Sequence, residues 1–347
     1  MGKRRSRAPT LADVADRAGM SKAAVSMILN DRPGSRLSEE AARRVRSVAE
    51  EMGYRPNPAA RSLRLGTTRT IGFVSDEVTL TRHASDMIRG TLDTARGHEH
   101  TVLMAEAGGD PAQLNEAIEQ MVDRRVDGIL LGLMSARLID PDTSRVEVPL
   151  VIVNGRTTSG HASVLPDEHA AGRAVAELLL DAGHRRVGVI GPLAAAMDDP
   201  TYSVTIPDRF AGIHEVFAER GVEELLVETS AWDAENGFER TDALIDTHPE
   251  VTAILAANDS VAFGVYQALS ERGLRIPADM SVASFDNEVL ASLQRPGLTT
   301  VHLPYEEMAR RGVEMLLGDR PRADELVPMP VVVRDSVAAP SPHVHAG

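Results

Sequence analysis

Two fold classes are predicted in one chain: an all-α helix-turn-helix headpiece at the N-terminus and, behind it, an α/β body built on parallel sheet with helices on both faces. Three observations predict them. Helical periodicity broken by a glycine turn runs through the first residues, short apolar runs alternate with helical stretches from Thr70 onward, and charge divides unevenly between the two parts.

In the first helix, Thr10 to Ala18 places Leu11, Val14, Ala15 and Ala18 on one face, with Thr10 as cap and Asp13 three residues later as its partner. Gly19 turns the chain. A second helix starts at its N-cap Ser21, with Val25, Ile28 and Leu29 inward and Lys22, Ala23, Ser26 and Met27 outward. Two short helices joined by such a turn make a helix-turn-helix. Further on, Asn57 as N-cap, Pro58 at the first helical position and Gly66 just past the end predict a short helix from Pro58 to Leu65. Isolated helices below about 12 to 15 residues are marginal in water, so this one is expected to form only when docked.

Residues 1–69 hold 15 Lys+Arg against 7 Asp+Glu, a formal +8, which leaves −22 on the remainder of a chain whose total is −14. A basic end of this kind neutralises phosphates and releases counterions, while the acidic body is repelled by them. The predicted partner is double-stranded DNA. At 347 residues and 43% hydrophobic content the chain can bury a large core and hold more than one domain. Cysteine is absent, which removes disulfides and thiol chemistry and fits a reducing compartment. No apolar run approaches the ~18 to 20 residues of a membrane span, and Met1 to Pro9 lacks a signal-peptide core. The expectation is a cytoplasmic protein with no membrane partner.

In the body, strands are predicted at Thr70 to Val74, Thr101 to Ala105, Gly128 to Leu131, Leu150 to Val153, Val187 to Ile190, Leu225 to Glu228, Ala253 to Ala256 and Ser281 to Ser284. Several end in polar residues: Ser75-Asp76, Asn154, Asn258-Asp259 and Asp286-Asn287. Ligands of open α/β sheets sit beyond the carboxyl ends of the strands, so these residues either converge on one crevice or cap the helices that follow.

Thr10-Leu11-Ala12-Asp13-Val14-Ala15, Ala18-Gly19-Met20-Ser21, Ala24-Val25-Ser26, Leu29-Asn30 and Gly53-Tyr54-Arg55-Pro56-Asn57-Pro58-Ala59-Ala60 resemble the headpiece of the lactose-repressor/galactose-repressor (LacI/GalR) transcription factors. The resemblance covers nearly the whole chain. It implies that Lys22, Ala23 and Met27 face bases while Ser21, Ser26 and Asn30 hold the DNA backbone. It implies too that the hinge (Asn57, Ala60, Leu63) folds on operator DNA, with Leu63 pushed between central base pairs of the minor groove. Met27 stands where the family commonly has arginine. That exchanges a bidentate guanine contact, worth roughly 1 to 3 kcal/mol of discrimination, for apolar contact such as a thymine methyl.

For the body the resemblance implies a periplasmic-binding-protein-like core of two doubly wound parallel-sheet subdomains with a ligand cleft between them. Pro207-Asp208-Arg209-Phe210-Ala211-Gly212 matches the segment whose arginine binds effector hydroxyls, and Asn258 and Asp286 fall in two further cleft segments. Trp232 takes the place of a cleft tryptophan and Tyr305 that of a cleft aromatic; Asp76 and Asn154 complete the expected effector-binding set. Asn154 stands for a cleft aspartate, and Gly132 for a cleft asparagine. The expected boundaries are a headpiece at 1–56, a hinge helix and linker at 57–69, a core at 70–340 and a tail at 341–347. Within the core, the N-subdomain spans about 70–165 and 303–332, and the C-subdomain about 166–302 and 333–340.

The function so implied is a sequence-specific regulator, most simply a repressor, that binds palindromic operator DNA as a homodimer under control of a small effector, a sugar or sugar derivative. A corepressor-dependent regulator answering a non-sugar metabolite is the alternative. A sugar-binding transport protein would share the body without residues 1–66, and an α/β enzyme would share the alternating pattern. No phosphate loop, dinucleotide-binding glycine pattern, Gly-x-Ser-x-Gly or His-Glu-x-x-His is present, so no enzyme activity, cofactor or metal is expected. His98, His100, His343 and His345 have metal-like spacing but no further ligands around them.

Overall fold

The structure, a computed structural model, describes residues 9–30, 37–55, 66–77 and 84–341. It divides into two compact units, one through Thr68 and one from Arg69.

In the first unit, helices Leu11–Ala18, Lys22–Leu29 and Glu39–Glu51 enclose a small core of Val14, Ala15, Ala18, Val25, Ile28, Val45 and Ala49. Thr10 and Asp13 form the expected reciprocal capping box, and Gly19 takes φ +65°, the left-handed conformation that ends the first helix. Ser21 caps the second helix through Ala24 N at 3.2 Å. Leu29 is partly buried and packs against this core as expected, and Ala24 is buried as well.

The second unit holds two six-stranded sheets. The first sheet contains β1 (Thr70–Ser75), β2 (Thr101–Glu106), β3 (Ile129–Ile139), β4 (Leu150–Thr157), β5 (Ala162–Pro166) and β11 (Glu325–Val327), in the order β11-β5-β4-β3-β1-β2, all parallel. The second contains β6 (Val187–Ile190), β7 (Glu224–Val227), β8 (Ala253–Ala256), β9 (Ser281–Asp286), β10 (Thr299–His302) and β12 (Val331–Val332), in the order β12-β10-β9-β8-β6-β7; only β12 runs antiparallel. These are the two doubly wound subdomains.

Helix Tyr305–Leu317 packs Met308, Ala309 and Val313 onto the first sheet, and helices Glu168–Asp181 and Ile206–Glu219 pack Val175, Leu179, Phe210 and Phe217 onto the second. The chain therefore crosses between subdomains near residues 166–168, 302–305 and 327–331. The last crossing corrects the expected boundary: Val331 and Val332 pair with β10, so the return precedes 331 instead of following 332.

All eight expected strands are present, and β5, β10, β11 and β12 join them. β11 and β12 are only three and two residues long and are completed by distant partners, β11 by β5 and β12 by β10; β10 is threonine-rich, and β5 lies directly beside β4. β3 runs on to Ile139 through an irregularity between Gly132 and Arg137. Its extension meets the other subdomain, where Leu138 N donates to Pro200 O at 2.8 Å and Val204 N to Ala136 O at 2.6 Å.

Candidate functional site

A cavity of about 240 Å³ lies where strand ends of both sheets face each other. Arg209 is its centre. It sits in the first turn of helix Ile206–Glu219, which Pro207 starts with a preset φ. Glu168 opens helix Glu168–Asp181, beside the first crossing, where the helix N-terminus favours a carboxylate. Both side chains are almost fully buried and joined by a fork: Arg209 Nε donates to Glu168 Oε2 at 2.7 Å and Nη2 to Oε1 at 2.6 Å. Arg209 Nη1 donates to Ala257 O at 2.5 Å, and Asp286 Oδ1 stands 4.0 Å from Nη2. The guanidinium also lies 4.2 Å from the centre of the Phe285 ring and 5.4 Å from that of Trp232. Burial works against its charge, but the adjacent Glu168 carboxylate prevails and holds its pKa above the ordinary value.

Two glycines bring this pair together. A Cβ on Gly172 would fall 2.2 Å from Arg209 O, and one on Gly212 2.2 Å from His169 O, so the helices cross with backbones in contact. No other residue type permits that approach.

The opposite wall comes from the first subdomain. Asn154, with φ +58°, donates from Nδ2 to Leu133 O at 2.9 Å and to Tyr305 Oη at 3.3 Å, while Tyr305 Oη donates to Met134 O at 2.9 Å. Tyr305 thus contributes to the wall with its hydroxyl already engaged, and burial, then Asp286, push its pKa up. Asp286 has φ +100° and Asn287 φ +54°, conformations that non-glycine residues adopt at a cost of about 1 to 3 kcal/mol each. Trp232 is half-buried, its Nε1 donating to Gly191 O at 2.6 Å.

Five of the seven expected effector residues line the cavity: Asn154, Arg209, Trp232, Asp286 and Tyr305. Asp76 and Asn258 are not among its lining residues. Asp76 accepts from Met134 N at 3.0 Å and pairs with Arg137 at 3.2 Å, which shapes the extension of β3. Asn258 caps helix Asp259–Glu271 by accepting from Val261 N at 2.8 Å, so at this strand end the capping reading describes the structure. Gly132 is a core position, since a Cβ there would meet Phe73 and Met87 at 2.6 Å. Sequence reasoning missed Glu168, Ser203 and Thr205, which also line the cavity. Glu168 carried one signal, its place at a helix start directly after an apolar run.

Asp259 lies behind Asp286 and is fully buried. It accepts from Ser284 Oγ, from Thr300 Oγ1 at 2.8 Å and from Glu288 N at 2.6 Å, tying β9 and β10 to the turn that presents Asp286. Burial, then the charge of Asp286, push its pKa up to about 7 despite those bonds. Because the folded value exceeds the unfolded one, the stabilisation from this group is full below pH about 4 and is lost as pH rises through about 7. In thermal melts between pH 5 and 8, Asp259→Asn is therefore expected to flatten the fall in stability with rising pH. An unchanged slope would show that Asp259 does not titrate there.

In the helix-turn-helix, Ser21, Lys22 and Ala23 are exposed at the start of the second helix, and Ser26, Met27 and Asn30 are half-exposed along it. Asn30 Nδ2 is engaged at 2.7 Å with Ser26 O. Asn57, Ala60 and Leu63 lie outside the described residues, as do His343 and His345. His98 instead pairs with Asp319 at 3.3 Å and His100 with Asp127 at 3.7 Å; no candidate metal cluster occurs among the described residues. Among them, no helix is long and apolar enough to cross a membrane.

A helix-turn-helix unit in one chain with a two-subdomain body and a polar cavity between its sheets defines the class of ligand-responsive DNA-binding regulators. Residues 10–57 match the family of bacterial regulatory proteins, lacI family, and residues 176–337 match the periplasmic binding protein-like domain. The HTH-type transcriptional regulator AscG of Escherichia coli K12 is 32% identical, over 96% of this chain and 99% of that protein. The ribose operon repressor of Haemophilus influenzae is 30% identical, over 89% and 91%. Among solved structures, the lac repressor dimer bound to operator and an anti-inducer superposes with a TM-score of 0.77, covering 96% of this chain and all of that one, a likeness of fold at 23% identity. A LacI family transcriptional regulator from Mycobacterium smegmatis gives 0.60 at 26% identity, over 78% of this chain and all of that one. The chain belongs to the LacI family of bacterial transcriptional regulators.

Proposed function

We propose that this chain is a transcriptional repressor whose operator affinity is set by a small polyhydroxylated effector, a sugar or sugar derivative, held in the cavity between its subdomains. The observation that carries this reading is the cavity wall. Arg209 and Asp286 face a space of about 240 Å³ together with the Trp232 ring, so hydroxyls and the apolar face of a sugar ring both find partners. A binding role is favoured over catalysis because the reactive groups are committed to one another, Glu168 to Arg209 and the Tyr305 hydroxyl to Met134 O.

The DNA-facing set in this reading is Ser21, Lys22, Ala23, Ser26, Met27 and Asn30, continued by Asn57, Ala60 and Leu63. Two copies on a palindrome supply the two half-sites. Val289 and Leu293, four residues apart on one short helix, are 73% and 64% exposed and support a self-association surface. Effector and operator are coupled only if the effector binds one arrangement of the subdomains better than the other. A DNA-binding role also places the protein in the cytoplasm.

The test is a selection from randomised duplex DNA, with and without a pool of neutral sugars. An enriched palindrome that is lost when sugars are added supports an induced repressor. A palindrome enriched only in the presence of an added metabolite supports the corepressor reading. Failure to enrich any sequence in either condition contradicts the assignment of the DNA-facing residues.

A further inference from the structure

The cavity has an unusual charge balance for a site centred on an arginine. Among the described lining residues Arg209 is the one cation, against two carboxylates, Glu168 and Asp286. Arg209 has five N–H donors in a fixed fork. Nε and one edge of Nη2 are spent on Glu168 and one N–H of Nη1 on Ala257 O, while Asp286 faces Nη2 at 4.0 Å. Of the two edges that could grip a phosphate or carboxylate in two-pronged fashion, the one formed by Nε and Nη2 is already filled by the protein's own carboxylate, and the one formed by Nη1 and Nη2 has Asp286 4.0 Å away and one Nη1 N–H spent on Ala257 O. The face of the guanidinium is covered too, by Phe285 and Trp232.

We propose that Glu168 is a specificity-determining residue of the effector site, an internal carboxylate that occupies one anion-binding edge of Arg209 and, with Asp286 beside the other, restricts the cavity to uncharged ligands over phosphorylated or acidic ones. The inference rests on the reading of this cavity as the effector site and deepens it. Two donor positions of Arg209 are left for single hydroxyl contacts. An entering anion would have to displace Glu168 into a buried setting or share the site with both carboxylates, and either route leaves an uncompensated negative charge. Glu168 can hold its place because it opens a helix beside a crossing between the subdomains, with Gly172 and Gly212 holding that helix against the one that carries Arg209.

The chain has one tryptophan, and its ring stands 5.4 Å from the Arg209 guanidinium, so its fluorescence reports on this cavity. The experiment titrates the full-length protein with sodium sulfate in place of chloride at constant ionic strength. Wild type is expected to give no saturable change. Glu168→Gln, which keeps the side-chain length and one acceptor oxygen but removes the charge, is expected to bind sulfate at least tenfold more tightly than wild type. Adding Arg209→Leu should abolish that gain.

Saturable sulfate binding by wild type, or no gain in a Glu168→Gln protein that still melts cooperatively, would overturn the proposal. Should Glu168→Gln fail to fold, the wild-type titration still decides, extended to glucose against glucose 6-phosphate and galactose against galacturonate. Equal or tighter response to the charged member of either pair overturns the proposal, and no response to either charged member upholds it. A sulfate gain in the variant, with no response of wild type to any neutral sugar, would leave the charge rule standing and sink the effector reading.

Discussion

Arg209→Lys is expected to weaken effector binding by roughly tenfold to a hundredfold while leaving operator affinity in the absence of effector close to wild type. Lysine keeps the charge but loses the planar fork, so it cannot face Glu168, Ala257 O and a ligand hydroxyl together. Hydrogen bonds to charged groups contribute about 1.5 to 3 kcal/mol each, which sets the size of the loss. Full truncation to alanine would test stability instead of recognition. It strands Glu168 in the interior, and breaking a buried pair in this way costs about 3 to 5 kcal/mol. The measurement is a Trp232 fluorescence titration with the selected effector, beside an operator-binding assay on the same preparation. Unchanged effector affinity in a folded Arg209→Lys protein would remove Arg209 from the site.

Gly172→Val is expected to destabilise the body by about 3 kcal/mol or more and to abolish the effector response of whatever protein still folds. A Cβ at this position meets Arg209 O at 2.2 Å and Ile213 N at 3.1 Å. These are backbone atoms that cannot swing away, so the two helices must separate, and overpacking of this kind typically costs about 1 to 3 kcal/mol before any loss of the ion pair. Gly97 supplies the contrast. It ends helix Ala84–Gly97 with nothing within 4 Å of an added Cβ and no positive φ, so Gly97→Ala should be neutral or stabilising by up to about 1 kcal/mol. Thermal melts of the two variants beside wild type check the pair of expectations. Equal melting temperatures for Gly172→Val and wild type would mean that the helix crossing does not set the site.

Much of the headpiece was legible because its signals are local. Thr10 and Asp13 are three residues apart, Gly19 turns the chain next to the helix it ends, and Ser21 precedes the helix it caps; each works through contacts within one helical turn. Six of the strands that were found are apolar runs buried within their sheets, while β2 and β7 keep enough apolar residues to be read although they lie exposed at the sheet edges. Of those that were missed, Glu325–Val327 and Val331–Val332 have too few residues to carry a pattern and exist because another strand supplies their hydrogen bonds.

At the site the division is sharper. The resemblance of Pro207 to Gly212 to a known ligand-binding segment singled out Arg209, and polar strand ends pointed to Asn154 and Asp286. They could not separate these from Asn258, whose identical position after a strand is spent on capping a helix.

By itself, then, the sequence determined what depends on spacing and on net charge: a basic helix-turn-helix followed by alternating strands and helices, and the residue types available to a cleft. Tertiary structure alone decided which of those residues share a cavity. Glu168 meets Arg209 across 41 positions of chain only because two glycines let their helices touch, and Asp286 faces the same space because Asp259 holds its turn from behind. Close approach of distant backbone segments depends on the packing of whole elements, and no local pattern of side chains encodes it.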